Sequence, residues 1–327
     1  MTIFRPHRNR FAGAAILAAG AASLVLTTAT ALATPPVSNL QFLGVASGDA
    51  STSDAIIWTR AVDTNSPAAT SLTAQVSTDP TFATGVQSFS VSTDATLDYT
   101  AKLLVTGLTA DTKYYYRFQA GAVTSGTGTF KTPPDASTPA PVRFAFSGDL
   151  DGLMRPYPAA KNFDQLGLDF FVFLGDTIYE TASSNSPAVT STASASPSTL
   201  FADFTKKYRE QFIPVNSGGQ NGLQTLFASQ GNYTLLDNHE LGNKQYINGG
   251  APAGAAVGGA PTGAGANAAL TANDVTTVGG PYMNKSLGFQ AVENAYLAYQ
   301  PIKDRGTFNL PSDPRTDGTK QLYYAQQ

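Results

Sequence analysis

The sequence predicts a β-sandwich of the fibronectin/immunoglobulin type followed by an α/β domain. Three observations carry that reading. Short β-branched runs recur at roughly a dozen residues between Phe42 and Thr132, a proline-rich stretch follows, and beyond it apolar strands alternate with helical patterns.

Residues 1–33 read as a leader. Arg5, Arg8 and Arg10 precede an apolar run from Phe11 to about Leu26, and Ala31-Leu32-Ala33 supplies a small-x-small cleavage pattern. The run is short, rich in Ala and Gly, and followed by threonines in place of a basic stop, which favours a cleaved export signal over a membrane anchor. Arg8-Asn9-Arg10 lacks the adjacent arginines of a twin-arginine signal, so the export route stays open. The mature chain is then expected in the periplasm or outside the cell, with no stable membrane span.

The sandwich is expected over residues 38–132. Asp54–Arg60, Leu72–Val76, Val86–Val91, Ala101–Val105, Tyr114–Phe118 and Gly126–Phe130 have the length, branching and alternation of strands. Leu108-Thr-Ala-Asp111-Thr112-Lys-Tyr114 is written like the tyrosine corner of such sandwiches, so Tyr114 and Trp58 are read as core anchors. Residues 133–141 form a proline-rich linker.

Residues 142–327 carry the α/β pattern. Val142–Phe146 reads as a strand, Ala159–Leu166 as a helix, and Asp169–Leu174 as a buried parallel strand. Leu200, Phe201, Phe204, Tyr208 and Phe212 repeat at helical spacing behind a Ser198/Thr199 cap. A short helix holds Leu223, Leu226 and Phe227, the strand Tyr233–Leu236 follows, and a last helix buries Leu287, Val292, Ala295, Tyr296 and Tyr299. Residues 181–199 and 245–273 are uncharged and low in complexity, and both are expected to be mobile surface loops. Gly263-Ala-Gly265 is no nucleotide fingerprint, since no strand precedes it.

Composition narrows the chemistry. The 327 residues include no cysteine and two histidines, which excludes disulfides, thiolate metal sites and cysteine nucleophiles. Loss of the leader removes His7, leaves His239 as the one imidazole, and leaves 17 basic against 23 acidic residues. Without basic runs, nothing points to nucleic acid as a partner. No Gly-x-Ser-x-Gly occurs, and Ser47 lies in the sandwich, which argues against a serine hydrolase.

Three apolar strands end in similar polar groups: Phe146-Ser-Gly-Asp149, Leu174-Gly-Asp176-Thr-Ile-Tyr179 and Leu236-Asp237-Asn238-His239-Glu240. Singly, an aspartate after a strand is ordinarily a turn or helix cap. Jointly, the carboxyl ends of neighbouring parallel strands converge on one crevice. Gathered carboxylates without lysines repel one another unless a multivalent cation neutralises them.

This series resembles the calcineurin-like metallophosphoesterases, and within them the alkaline phosphatase D (PhoD-like) family. Asp176-Thr-Ile-Tyr179-Glu180 is similar to the family's second motif, and Asp237, His239, Glu240 and Asn243 match its third. Gly44-Val-Ala-Ser47-Gly48-Asp49 and Ala55-Ile-Ile-Trp58-Thr59-Arg60 are similar to the opening of its amino-terminal domain. The resemblance implies hydrolysis of small phosphate mono- or diesters at a binuclear metal site, with ferric iron and calcium as the metals. By position, Asp149 would bind the first metal, Asp176 would bridge the pair, Tyr179 would bind iron as phenolate, and Asn238 would bind the second metal. His239 would touch the phosphoryl oxygen or the leaving group.

Two departures accompany the resemblance. Many family members place a cysteine at the first motif, where this chain reads Ser147-Gly148-Asp149-Leu150-Asp151, so Asp151 can serve instead of, or beside, Asp149. Late motifs with further ligands do not follow His239, so the αββα metallophosphoesterase domain is expected to be incomplete, with an apolar sheet face uncovered and the chain a fragment. The alternative is an inactive remnant that retains only the sandwich.

Overall fold

The computed structural model describes residues 39–190, 195–214, 221–242, 287–307 and 320–322. The leader and the whole of the second low-complexity stretch lie outside the described residues, as does Asn243.

Strands β1 (Leu40–Gly48), β2 (Asp54–Asp63) and β5 (Thr100–Thr106) pair antiparallel, and the β1–β2 turn is held by Ser51 Oγ, which donates to Asp54 Oδ1 at 2.5 Å. Strands β3 (Ser71–Ser77), β4 (Gln87–Ser92), β6 (Lys113–Ala120), β7 (Val123–Thr124) and β8 (Gly128–Lys131) make a second antiparallel sheet in the order β4-β3-β6-β7, with β8 also on β6. Period-two alternation is cleanest in β6, where Tyr114, Tyr116, Phe118 and Ala120 are all buried. The Tyr114 hydroxyl accepts a hydrogen bond from Thr109 N at 2.8 Å, which is the closure expected of a tyrosine corner.

Three more strands follow: β9 (Phe144–Ser147), β10 (Phe170–Phe173) and β11 (Gly231–Thr234). They pair in parallel, and β11 also pairs in parallel with β1, Ser47 opposite Gly231. The first sheet therefore has six strands in the order β5-β2-β1-β11-β10-β9 and runs through both halves of the described chain. Two sheets with few helices is the observed architecture.

Sharing β1 and β2 between two cores explains their composition. Alternate residues Val45 and Ile57 face a core with Leu72, Val76, Tyr116 and Phe118, while Ala46 and Trp58 face one with the helices. Trp58 is therefore a core anchor on the helical side of its sheet, where its indole donates to Ala298 O at 2.7 Å and its ring stacks on Phe212. Helices α1 (Pro197–Glu210), α2 (Gly222–Ser229) and α3 (Leu287–Tyr299) supply Leu200, Phe204, Tyr208, Leu226, Phe227, Tyr296 and Tyr299 to that second core. Each such side chain contributes about 1.5–3 kcal/mol by leaving water.

Three expectations are corrected. Ala159–Leu166 is not an α-helix but two single 3₁₀ turns, Pro158–Ala160 and Phe163–Gln165, because Tyr157 and Asn162 take left-handed φ values of 57° and 72°. The cap of α1 is Ser196, whose hydroxyl accepts from Thr199 N, so the helix starts two or three residues earlier than a Ser198/Thr199 cap allows. Residues 181–190 are no free loop either: Val189 is buried, and α1 holds the segment through Lys207 and Glu210.

One face of the parallel strands is open. Phe171 and Phe173 pack on the helices, whereas Phe144 and Phe146 on the other side are exposed, with Phe144 stacked on Phe170 and Phe170 edge-on to Tyr233. A cavity of about 570 Å³ lies on this face, lined by Lys131, Pro133, Phe170, Val172 and Leu235 among others.

Candidate metal centre

Because β1, β11, β10 and β9 are parallel neighbours, their carboxyl ends lie on one edge. The turns after β9, β10 and β11 carry Asp149, then Asp176 with Tyr179, then Asn238 with His239. All five residues singled out in the sequence therefore sit at the same edge, on adjacent turns.

The first two turns repeat one local design. Each strand ends in a Gly-Asp step whose aspartate is left-handed, with φ of 59° at Asp149 and 49° at Asp176. Aspartate tolerates that region better than most residues. The steps are stitched together: Asp149 N donates to Gly175 O at 3.3 Å and Leu150 N to Asp176 O at 2.8 Å. Gly175 has φ of 98°, and a Cβ there would stand 2.5 Å from the Cβ of Asp237, so the third turn can approach only a glycine.

Glu240 joins the second turn to the third. Its fully buried carboxylate accepts from Asp176 N at 3.0 Å, Asp237 N at 3.0 Å and the Thr177 hydroxyl at 2.7 Å, and also from Thr177 N. Burial pushes the Glu240 carboxyl above its ordinary value despite these donors. His239 N donates to Asp176 Oδ1 at 3.0 Å, a second tie between the same turns.

The predicted ligands meet in part. The Tyr179 hydroxyl donates to Asp149 Oδ1 at 2.5 Å, and its ring stacks on the His239 imidazole with centroids 4.0 Å apart. Burial, then the carboxylate of Asp149, pushes the Tyr179 phenol well above its usual range. Asp176 is also pushed up, by burial first and by the charges of Asp237 and Asp149 in addition. Asp151 spends one oxygen on Leu153 N at 2.9 Å as the cap of a 3₁₀ turn, whereas Asp149 faces Tyr179.

In the sequence Glu180 stands only as part of a motif. In the structure its buried carboxylate meets His239 Nδ1 at 2.5 Å, and the other oxygen, Oε1, has no hydrogen-bond partner. Burial alone would lower the His239 pKa, but the bond to Glu180 and the charges of Glu180, Asp176 and Glu240 outweigh it and raise the value. The signal available in the sequence was a carboxylate one position beyond a tyrosine ligand, which is indistinguishable from an ordinary cap.

The donor set suits a hard cation: carboxylates, a phenol and an amide, with no lysine or arginine among the described residues bonded to Asp149 or Asp176. Among the described residues, no group of three or more His, Cys, Asp or Glu is arranged to hold a metal by itself. Tyr179 and Asn238 would have to complete any ligand set drawn from these turns.

Comparison with known proteins agrees with the fold. Residues 27–134 match the model of the PhoD-like phosphatase N-terminal domain. Over those residues the chain is similar to PhoD-like phosphatases. A solved structure of PhoD superposes with a TM-score of 0.61 at 22% identity, over 86% of this chain and 48% of PhoD. The chain thus spans about half the length of PhoD. A purple acid phosphatase from yellow lupin seeds matches at a TM-score of 0.38 and 14% identity, over 60% of this chain and 35% of that one. No curated protein sequence matches.

Proposed function

We propose that this chain carries the ligand turns of an exported, metal-dependent phosphoesterase, of the alkaline phosphatase or phosphodiesterase type, with a binuclear site for small phosphate mono- or diesters. The observation that supports the reading is the convergence of three strand-end turns at one sheet edge, the second and third tied by Glu240, with the carboxylates of Asp149, Asp176 and Asp237 gathered around a single imidazole. Asp149, Asp176, Tyr179 and Asn238 would hold the cations, with Fe³⁺ on the phenolate side and Ca²⁺ on the other by family resemblance. When bound, a metal pair draws charge from the phosphoryl oxygens and acidifies a water nucleophile at neutral pH.

The chain's own residues have definable tasks. Asp176 holds the second turn to the third through His239 N, so loss of its charge leaves the backbone frame in place while removing a ligand. His239, held at Nδ1 by Glu180, presents Nε2 for hydrogen bonding to a phosphoryl oxygen or for protonation of a departing alkoxide. The stacked Tyr179 ring limits rotation of the imidazole. The leader, residues 1–33, delivers the protein out of the cytoplasm on this reading, and amino-terminal sequencing of the exported protein should begin close to Thr34.

Nitrophenyl phosphate or its diester should be turned over by the metal-loaded protein, and Asp176→Asn should lower bound metal and rate together. Unchanged turnover in that variant would defeat the assignment.

A further inference from the structure

We propose that the Lys207–Glu210 ion pair of α1 is a positioning device for His239, acting through the segment 180–189 and Glu180. The catalytic part of this proposal rests on the phosphoesterase reading; the placement of the imidazole does not.

The segment between Glu180 and Val189 has a composition that does not by itself favour order. It is nonetheless closed and pinned. Val189 N donates to Glu180 O at 2.7 Å, and the Val189 side chain is buried, so the two ends of the segment meet. From α1, Lys207 Nζ donates to Ala182 O at 2.5 Å and to Ser186 O at 3.1 Å. Glu210 accepts from Ser186 N at 2.7 Å and from the hydroxyls of Ser184 and Ser186. Lys207 and Glu210 are themselves 3.4 Å apart and almost fully buried, at 3% and 2% exposure.

A buried ion pair on one helix turn is weak evidence for stability, since desolvation offsets much of its attraction. This pair instead spends its hydrogen bonds on three residues of a segment that has little packing of its own. That segment begins at Glu180, whose carboxylate is the partner of His239 Nδ1. The pair also touches the first motif: a Cβ on Gly152 would stand 2.5 Å from Glu210 Oε2 and 2.6 Å from Ser184 Oγ, so the turn after Asp149 and Asp151 packs directly on it. One ion pair thus sets the height of the segment that aims the imidazole and of the turn that carries the first carboxylate. If it is lost, Glu180 moves off Nδ1 and the neutral ring no longer keeps its proton on that nitrogen.

The test uses the full chain with His7→Gln, so that His239 is the only imidazole, labelled with ¹⁵N and free of metal. At a pH where the ring is neutral, the parent should show a protonated Nδ1 and an unprotonated Nε2. In Lys207→Met/Glu210→Gln, which removes both charges and keeps side-chain length, the two nitrogen shifts should converge toward a mixture of tautomers. The metal-loaded double variant should lose about tenfold in kcat, the scale of an outer-shell change, with KM little altered. A folded double variant with parental ring shifts and parental kcat overturns the proposal. If the double variant fails to fold, Ser184→Ala/Ser186→Ala removes the bridging hydroxyls and is judged on the same two readouts. A parent with no phosphoesterase activity would defeat the functional reading alone, because the ring shifts still decide the positioning claim.

Discussion

Gly48-Asp49 ends β1 and Gly175-Asp176 ends β10, on the same edge of one sheet, and both aspartates are buried with nearly equal left-handed φ of 47° and 49°. Their surroundings differ. Asp49 Oδ2 accepts from Arg305 at 2.6 Å and from Lys303 N at 2.8 Å, so a cation of the chain itself answers its charge. Asp176 accepts from a backbone N–H, and its charged neighbours are a titratable imidazole, His239, and two more carboxylates. The same backbone motif thus carries a carboxylate tied to a built-in guanidinium at Asp49 and, at Asp176, one that on the proposed reading is left for a metal.

The largest effect expected from breaking this contrast is at Asp176. Asp176→Asn should cost at least about 100-fold in metal affinity and turnover, more than an outer-shell change does. Yet the metal-free variant should be about as stable as the parent, because the burial cost of the charge and its repulsion by Asp237 and Asp149 are removed along with its attraction to His239; denaturant melts of both forms check this. Arg305→Met should do the opposite. It removes the guanidinium from a buried carboxylate that keeps its bond from Lys303 N, which should cost about 3 kcal/mol in denaturant unfolding while metal uptake persists in the folded fraction.

Gly175→Ala tests the close approach of the turns. A side chain at φ of 98°, with its Cβ 2.5 Å from that of Asp237, should cost roughly 2–3 kcal/mol, measured as a lowered denaturation midpoint. Smaller still is the effect at Glu293 on α3, a third kind of buried carboxylate, whose pKa burial pushes up to about 7 with only partial relief from Lys320. Its folded value exceeds its unfolded one, so the stability it contributes is complete below about pH 4.5 and is lost as pH rises toward and through 7. Glu293→Gln should remove on the order of 2 kcal/mol of that decline, read from unfolding free energies between pH 4 and 8.

Much of the fold was legible because local pattern and burial agree. Strands β2 to β6 fall within a few residues of their expected bounds, since each has one polar side or ends in turn residues. The sharing of β1 was not legible: Ala46 and Trp58 on one face and Val45 and Ile57 on the other read only as an apolar run, and nothing local names β11 as a partner. Ala159–Leu166 misled because its apolar spacing is helical while Pro158 and Asn162 break it into single turns. At the site, residue types and order pointed to Asp149, Asp176, Tyr179, Asn238 and His239, which do fall on adjacent turns. What escaped the sequence was the support beneath them, Glu180, Lys207 and Glu210, because a buried acid or base leaves no periodic trace when its partners are backbone carbonyls, serines and one ring nitrogen.

The parallel pairing of Ser47 with Gly231 joins positions 184 residues apart. At synthesis rates of roughly 5–20 residues per second, β1 waits about ten to forty seconds before its neighbour on that side exists. During that interval the sandwich strands can pair among themselves, but one rail of β1 stands open to any passing extended segment. Gly44 and Gly48 put no side chain on that strand, and β1 gains its second neighbour only when Gly231–Thr234 has been made.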